Sequence, residues 1–154
     1  DVHGRRVNLV GVNDAHRNWD RLDLLPGLFD QLQAASTDLD GDGLADPEAD
    51  PHPLTVAVTH APYRRVLDAF TGAGADVIFG GHTHGGQVRV PGFGALVANC
   101  DIPLKQASGL SSWHRLGHTA ALNVSAGLGH SIYAPVRFAC PPEASLLTLV
   151  AREA

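Results

Sequence analysis

The sequence lacks what a membrane span, a disulfide scaffold or a nucleic-acid binder would need. No apolar run approaches the roughly 18 residues of a bilayer-crossing helix, so no membrane segment is read in this chain. Residues 1–30 also lack the charged-then-apolar order of a signal peptide, which leaves the compartment open. Basic residues are in deficit: 11 Lys and Arg against 16 Asp and Glu give a net charge of -5. That balance argues against a nucleic-acid or anionic-membrane surface, which carries a basic face. Two cysteines, Cys100 and Cys140, are too few for a disulfide framework and leave free thiols or a single bridge open. Methionine is absent altogether, while histidine occurs nine times.

What is present fits one soluble domain spanning 1–154. Of the 154 residues, 44% are apolar and 18% charged, enough to bury a sizeable core. "RRVNLVGV" alternates like a half-buried strand and ends in the turn chemistry of Asn13 and Asp14. Leu24, Leu25, Leu28, Phe29 and Leu32 recur at helical spacing, which predicts a helix over roughly 26–35, with Pro26 in its first turn. Residues 38–53 are acidic, rich in Gly and Pro, and read as an exposed loop insertion. "LTVAVTH" is a β-branched buried strand ending on His60, "APYRRVLDAFTGAGA" a helix opened by Pro62 and stopped by Gly72 or Gly74, and "ADVIFGG" the next strand. A right-handed crossover lays these two strands parallel, with both C-terminal ends at one edge. Both ends carry histidine, at the edge where open α/β sheets bind ligands. Beyond them, "QVRVPGFGALV" reads as a hairpin, "AALNVSAGLGH" as a strand running into a glycine loop, and "ASLLTLV" as a final strand.

The stretch "VIFGGHTHGGQV" concentrates the chemistry. His82 and His84 flank Thr83; extended, they share one face, while in a loop they straddle two sites. Gly80, Gly81, Gly85 and Gly86 remove Cβ atoms around them and leave room for a ligand at the backbone. With His60 arriving from the neighbouring strand, three neutral imidazoles converge, a donor set suited to zinc, manganese or iron. Other His-x-His sites fit poorly. A metallo-β-lactamase pattern wants Asp-His where Gly85-Gly86-Gln87 stand, a cupin wants a glutamate that 85–98 lack, and an amidohydrolase barrel needs a longer chain.

"GGHTHGGQV" resembles the last signature of the calcineurin-like metallophosphoesterase superfamily, and "VTHAP" resembles the single-histidine signature before it. "VNLVGVNDAH", "VPGFGALV" and "NVSAGLGHSIYAPVRFACPPEASLLTL" are similar to the stretches around those signatures in the bacterial YkuE-related subgroup, so the resemblance covers nearly the whole chain. It implies the C-terminal part of a four-layer α/β/β/α sandwich with mixed β-sheets. It further implies a phosphomonoesterase or phosphodiesterase with a dinuclear Mn, Fe or Zn centre, acting on a small-molecule or lipid phosphoester. Carried over, His60 and His82 hold one metal and His84 the other. The family's Asp-x-His, Gly-Asp and Gly-Asn-His-Asp/Glu signatures have no working counterpart. Asp1-Val2-His3 spells the first, but no strand precedes it. The sequence thus resembles the ligand-bearing C-terminal half, with the catalytic residues expected upstream. A metal- or calcium-binding module without chemistry is the alternative.

Asp38, Asp40, Asp42 and Asp46, with Gly43, match the opening positions of a calcium loop, but Ala49 stands where the bidentate glutamate belongs. His130, after "GLG", is a candidate for lining the substrate cleft, against an ordinary loop histidine. Arg64 and Arg65 read as a solvated helix face near the metal edge, with phosphate contact as the rival reading. Gly117 weakens any helix that would align His114 with His118, and His3, His16 and His52 are expected to be exposed.

Overall fold

A computed structural model describes residues 6–37 and 52–150. Its strands are β1 (Val7–Gly11), β2 (Leu54–Val58), β3 (Val77–Gly80), β4 (Arg89–Val90), β5 (Gly94–Ala95), β6 (Gly109–Arg115) and β7 (His118–Val124), and its helices are α1 (Leu25–Thr37) and α2 (Arg64–Ala73). The fold is mixed α/β: a five-stranded sheet in the order β1-β2-β3-β7-β6 and a separate β4-β5 hairpin. β1, β2, β3 and β7 run parallel, and β6 is antiparallel to β7. Among the described residues, no helix is long and apolar enough to cross a membrane. The acidic segment read as a calcium loop, Asp38 to Asp46, lies outside the described residues.

Strand order decides which face is covered. The chain steps from β1 to β2 to β3 in one direction, and right-handed crossovers in one direction put both helices on one face. The register lines up Val10, Ala57, Ile78 and Leu122 there, all buried in one core with Leu25 of α1 and Val66, Leu67 and Phe70 of α2. The opposite face carries Leu9 and Val58 on β1 and β2 and Leu110 on β6, exposed by 72%, 41% and 67%. Parallel strands are normally apolar on both faces because both are covered. Here the second covering layer is not among the described elements.

Local signals explain most boundaries. α2 stops at Gly74, whose φ of 102° lets its N–H reach back to the Phe70 and Thr71 carbonyls. Its start lies at Tyr63, one residue beyond the expected Pro62, and has no side-chain cap of its own. Asp101, far along the chain, accepts from the Arg64 backbone N–H at 2.7 Å and supplies the negative charge that a helix N-terminus favours. β6 and β7 are joined by Leu116 and Gly117 at φ 50° and 80°, the left-handed pair that a two-residue hairpin requires. His114 and His118 therefore lie on two strands of a hairpin, not on a helix. The expected final strand over 144–150 does not form: that segment has no ladder partner among the described residues, and Leu146 and Val150 are exposed.

Candidate metal centre

The site is built at the C-terminal ends of β2 and β3. Thr59 donates its N–H to the Phe79 carbonyl at 3.0 Å, and Gly81 to the His60 carbonyl at 3.0 Å, so the ladder continues past both strands. That register brings the rings together: His82 Nδ1 lies 3.1 Å from His60 Nε2, with centroids 4.9 Å apart and planes at 71°. Two imidazole nitrogens bound to one metal at about 2.1 Å stand about 3.0–3.4 Å apart for bond angles between octahedral and tetrahedral. The observed separation falls in that range, and it is equally that of a hydrogen bond between the two rings.

The loop that carries His82 is strained. His82, His84 and Gln87 have φ of 64°, 50° and 55°, in the left-handed region that side chains rarely adopt. Thr83 between them is buried and right-handed, and its hydroxyl donates to the Ala107 carbonyl at 2.7 Å while accepting from the Gly85 N–H. Anchored there, the loop gives its two histidines neighbourhoods that share only His60. His82 meets His60. His84 lies among Arg137, Gly129 and His130. His130 is thus near His84, with its own Nδ1 bonded to the Ser131 carbonyl. Among the described residues no group of three or more His, Cys, Asp or Glu is arranged to hold one metal ion, so the three imidazoles form a pair plus one.

Glycine does not play the part expected of it. A Cβ on Gly86 would stand 2.4 Å from Ala95 Cβ, and one on Gly85 would stand 2.8 Å from Cys140 Sγ and 2.9 Å from Ala126 Cβ. The Cβ positions of these two glycines are taken up by neighbouring protein. Gly80 likewise packs against Pro62. Both cysteines are free thiols; burial raises the Cys100 pKa above its ordinary value.

Both arginines are exposed, as a solvated helix face requires, and their guanidinium groups bond within the protein. Arg65 donates to the buried carboxylate of Asp20 at 2.6 Å and to the Ala15 carbonyl at 2.8 Å, and Arg64 Nε donates to the Asp101 carbonyl. Sequence reasoning missed two neighbours of His82 and the residue that holds one of them. Asn99 places its amide 3.1 Å from His82 Nε2, His16 packs its ring 4.7 Å from that of His82, and the Tyr63 hydroxyl is 2.9 Å from His16 Nδ1. His16 was legible in principle, since it follows β1, whose C-terminal end shares the edge of β2 and β3. For His82 Nδ1 to ligate, Nε2 must carry the proton and Asn99 must present its carbonyl oxygen, one of two orientations of an amide of nearly equal shape.

Burial, then the neighbouring His60 and His16, lowers the His82 pKa; burial, then Arg137, lowers that of His84. Both rings are biased toward the neutral form that metals bind. In the unfolded chain they protonate near about 6.5. The unfolded state therefore binds more protons at and below that pH, so their contribution to stability is complete above it and is lost as pH falls toward the folded values. Urea midpoints are expected to drop between pH 7.5 and 5.5 by more in the native protein than in His82→Gln; equal drops would remove His82 from the effect.

No family model, curated protein or solved structure matches the chain, so the site is read from its own geometry and from the motif resemblance.

Proposed function

We propose that this chain is part of a metal-dependent phosphoester hydrolase of the calcineurin-like class and supplies its C-terminal histidine ligands. The observation that carries this reading is the 3.1 Å approach of His60 Nε2 and His82 Nδ1 at the ends of adjacent parallel strands. Divalent metal at such a site supplies Lewis-acid stabilisation of phosphoryl oxygens and an activated water. The residues of this chain orient and charge the site. His60 and His82 form one bidentate arm, and His84, on the far side of Thr83, serves a second position. The half-buried Arg137 guanidinium adds positive charge beside His84. The substrate class is a small-molecule or lipid phosphoester, and Mn, Fe and Zn all suit the imidazoles.

The exposed apolar face of the sheet supports the four-layer sandwich, because a second sheet laid on Leu9, Val58 and Leu110 would cover them. Leu9→Lys with Leu110→Lys tests this layer. In the 154-residue chain, these exposed changes are expected to shift stability by less than about 1 kcal/mol and to reduce self-association in sedimentation velocity. In a longer native polypeptide that covers the face, the same pair is expected to cost several kcal/mol, on the order of 2 or more per buried leucine. A negligible cost in that longer polypeptide counts against the sandwich.

The functional test is direct. The native polypeptide, purified from its source, is assayed for Mn²⁺-, Fe²⁺- or Zn²⁺-dependent hydrolysis of bis(p-nitrophenyl) phosphate and p-nitrophenyl phosphate, while the ring nitrogens of His60, His82 and His84 are followed by NMR during metal titration. Turnover with coincident shifts at His60 and His82 supports the hydrolase. The shifts without turnover favour a metal-binding module. Absence of both turnover and shifts would overturn the metal reading.

A further inference from the structure

We infer that His16 and Tyr63 form a positioning pair that sets the orientation of the His82 ring and so makes Nδ1 available beside His60. The inference rests on the reading of His60 and His82 as ligands, but the observations behind it are independent of any motif. His16 belongs to a short 3-10 turn, Ala15–Arg17, fixed by the Asp14 side chain, which accepts from the His16 N–H at 2.9 Å. Its ring lies against His82 at a centroid distance of 4.7 Å and a tilt of 44°. On its other side, Nδ1 is held at 2.9 Å by the Tyr63 hydroxyl, with the two rings stacked 6.3 Å apart. Tyr63 is itself fixed as the residue that opens α2, where its carbonyl accepts from the Val66 and Leu67 N–H groups.

The consequence is mechanical. His82 is a non-glycine residue in the left-handed region, on a partly exposed loop, and its ring is held only by its contacts. His60 contacts it along one edge and Asn99 reaches Nε2. Without His16, the remaining side of the ring faces solvent, and rotation that carries Nδ1 away from His60 becomes cheap. Partners of this kind, which touch a ligand and not the metal, commonly change metal affinity by about 10–100-fold when removed. His16 and Tyr63 come from the ends of β1 and the start of α2, so the pair also couples the site to two further elements of the sheet edge.

The test uses His16→Ala, His16→Phe and Tyr63→Phe in the intact chain, with Co²⁺ as the probe. Binding is followed by its visible absorption and by calorimetry, and the His82 ring signals are recorded by NMR in metal-free protein. The expected result is a fall of about 10–100-fold in Co²⁺ affinity for His16→Ala, a smaller fall for Tyr63→Phe, and partial recovery in His16→Phe, which restores the ring contact without the hydroxyl bond. Thermal midpoints should change little, which separates positioning from general loss of structure. Metal-free His82 ring signals should broaden or shift in His16→Ala. Unchanged His82 signals together with Co²⁺ affinity within twofold of the native protein would overturn the inference. Should Co²⁺ fail to bind the native protein at all, the ligand reading fails instead, and the metal-free ring signals still decide whether His16 positions His82.

Discussion

Gly86→Ala is expected to destabilise the protein by about 3–4 kcal/mol, made up of a left-handed backbone at about 1–2 and overpacking at about 1–3. Gly86 sits at φ 80°, and the added methyl would lie 2.4 Å from Ala95 Cβ and 2.7 Å from the Val97 carbonyl oxygen. Neither neighbour can swing aside: one is a buried β-carbon on β5, the other main chain. Gly92→Ala provides the control, because Gly92 has the same φ of 80° but open space where the Cβ would go. It should cost only the backbone share, about 1 kcal/mol. Urea denaturation of the two variants isolates the packing component by difference. Because Gly86 closes the turn that carries His84, the same substitution is expected to weaken metal binding along with folding. Equal losses in the two variants would show that the loop and the β4-β5 hairpin do not approach this closely.

The result bears on what a glycine-rich motif can be read to mean. Gly85 and Gly86 announce a close approach, but a sequence cannot say to what, and at their Cβ positions the neighbour is protein. His60 and His82 were legible because each ends a short β-branched or apolar run, and parallel strands joined by a helix align their ends. His16 was legible only in part: it follows β1 to the same sheet edge, but it sits within a short 3-10 turn whose sequence has no periodicity to place its ring. Helix α2 carried its own stop signal in Gly74, whereas its start depends on Asp101, supplied from 37 residues away. β6, "GLSSWHR", went unread because its serines blur the alternation and its pairing depends on β7. The opposite error arose at "ASLLTLV", which has the composition of a strand and no partner among the described strands. Strand identity lies in the ladder as much as in the segment. Arg137 gave no signal at all, since its partners are carbonyls, which every residue carries.

Those carbonyls make Arg137→Ala the second substitution with a large expected effect. The guanidinium donates to the Ala126 carbonyl at 2.6 Å, to Gly129 at 2.5 and 2.8 Å and to Gly127 at 3.1 Å. Weaker bonds reach Cys140 at 3.2 Å, Pro141 at 3.3 Å and His84 at 3.4 Å. One planar fork thus ties the glycine loop after β7, the segment around Cys140 and the histidine loop together, using the fixed geometry that lysine lacks. A hydrogen bond from a charged donor contributes about 1.5–3 kcal/mol, and water replaces part of it at this half-exposed site, so Arg137→Ala is expected to lose about 2–3 kcal/mol in all. Arg137 is also the second cause, after burial, of the lowered His84 pKa. Removing its charge should therefore move His84 titration upward, toward the ordinary value, as followed by NMR. Arg137→Lys separates the two roles: it keeps the charge and not the fork, so stability should fall while His84 stays depressed. Co²⁺ or Zn²⁺ binding at His84 should then meet stronger proton competition in the alanine variant than in the lysine variant. If both variants left the stability and the His84 titration unchanged, Arg137 would be neither the tie between these loops nor the source of positive charge on the His84 side of the site.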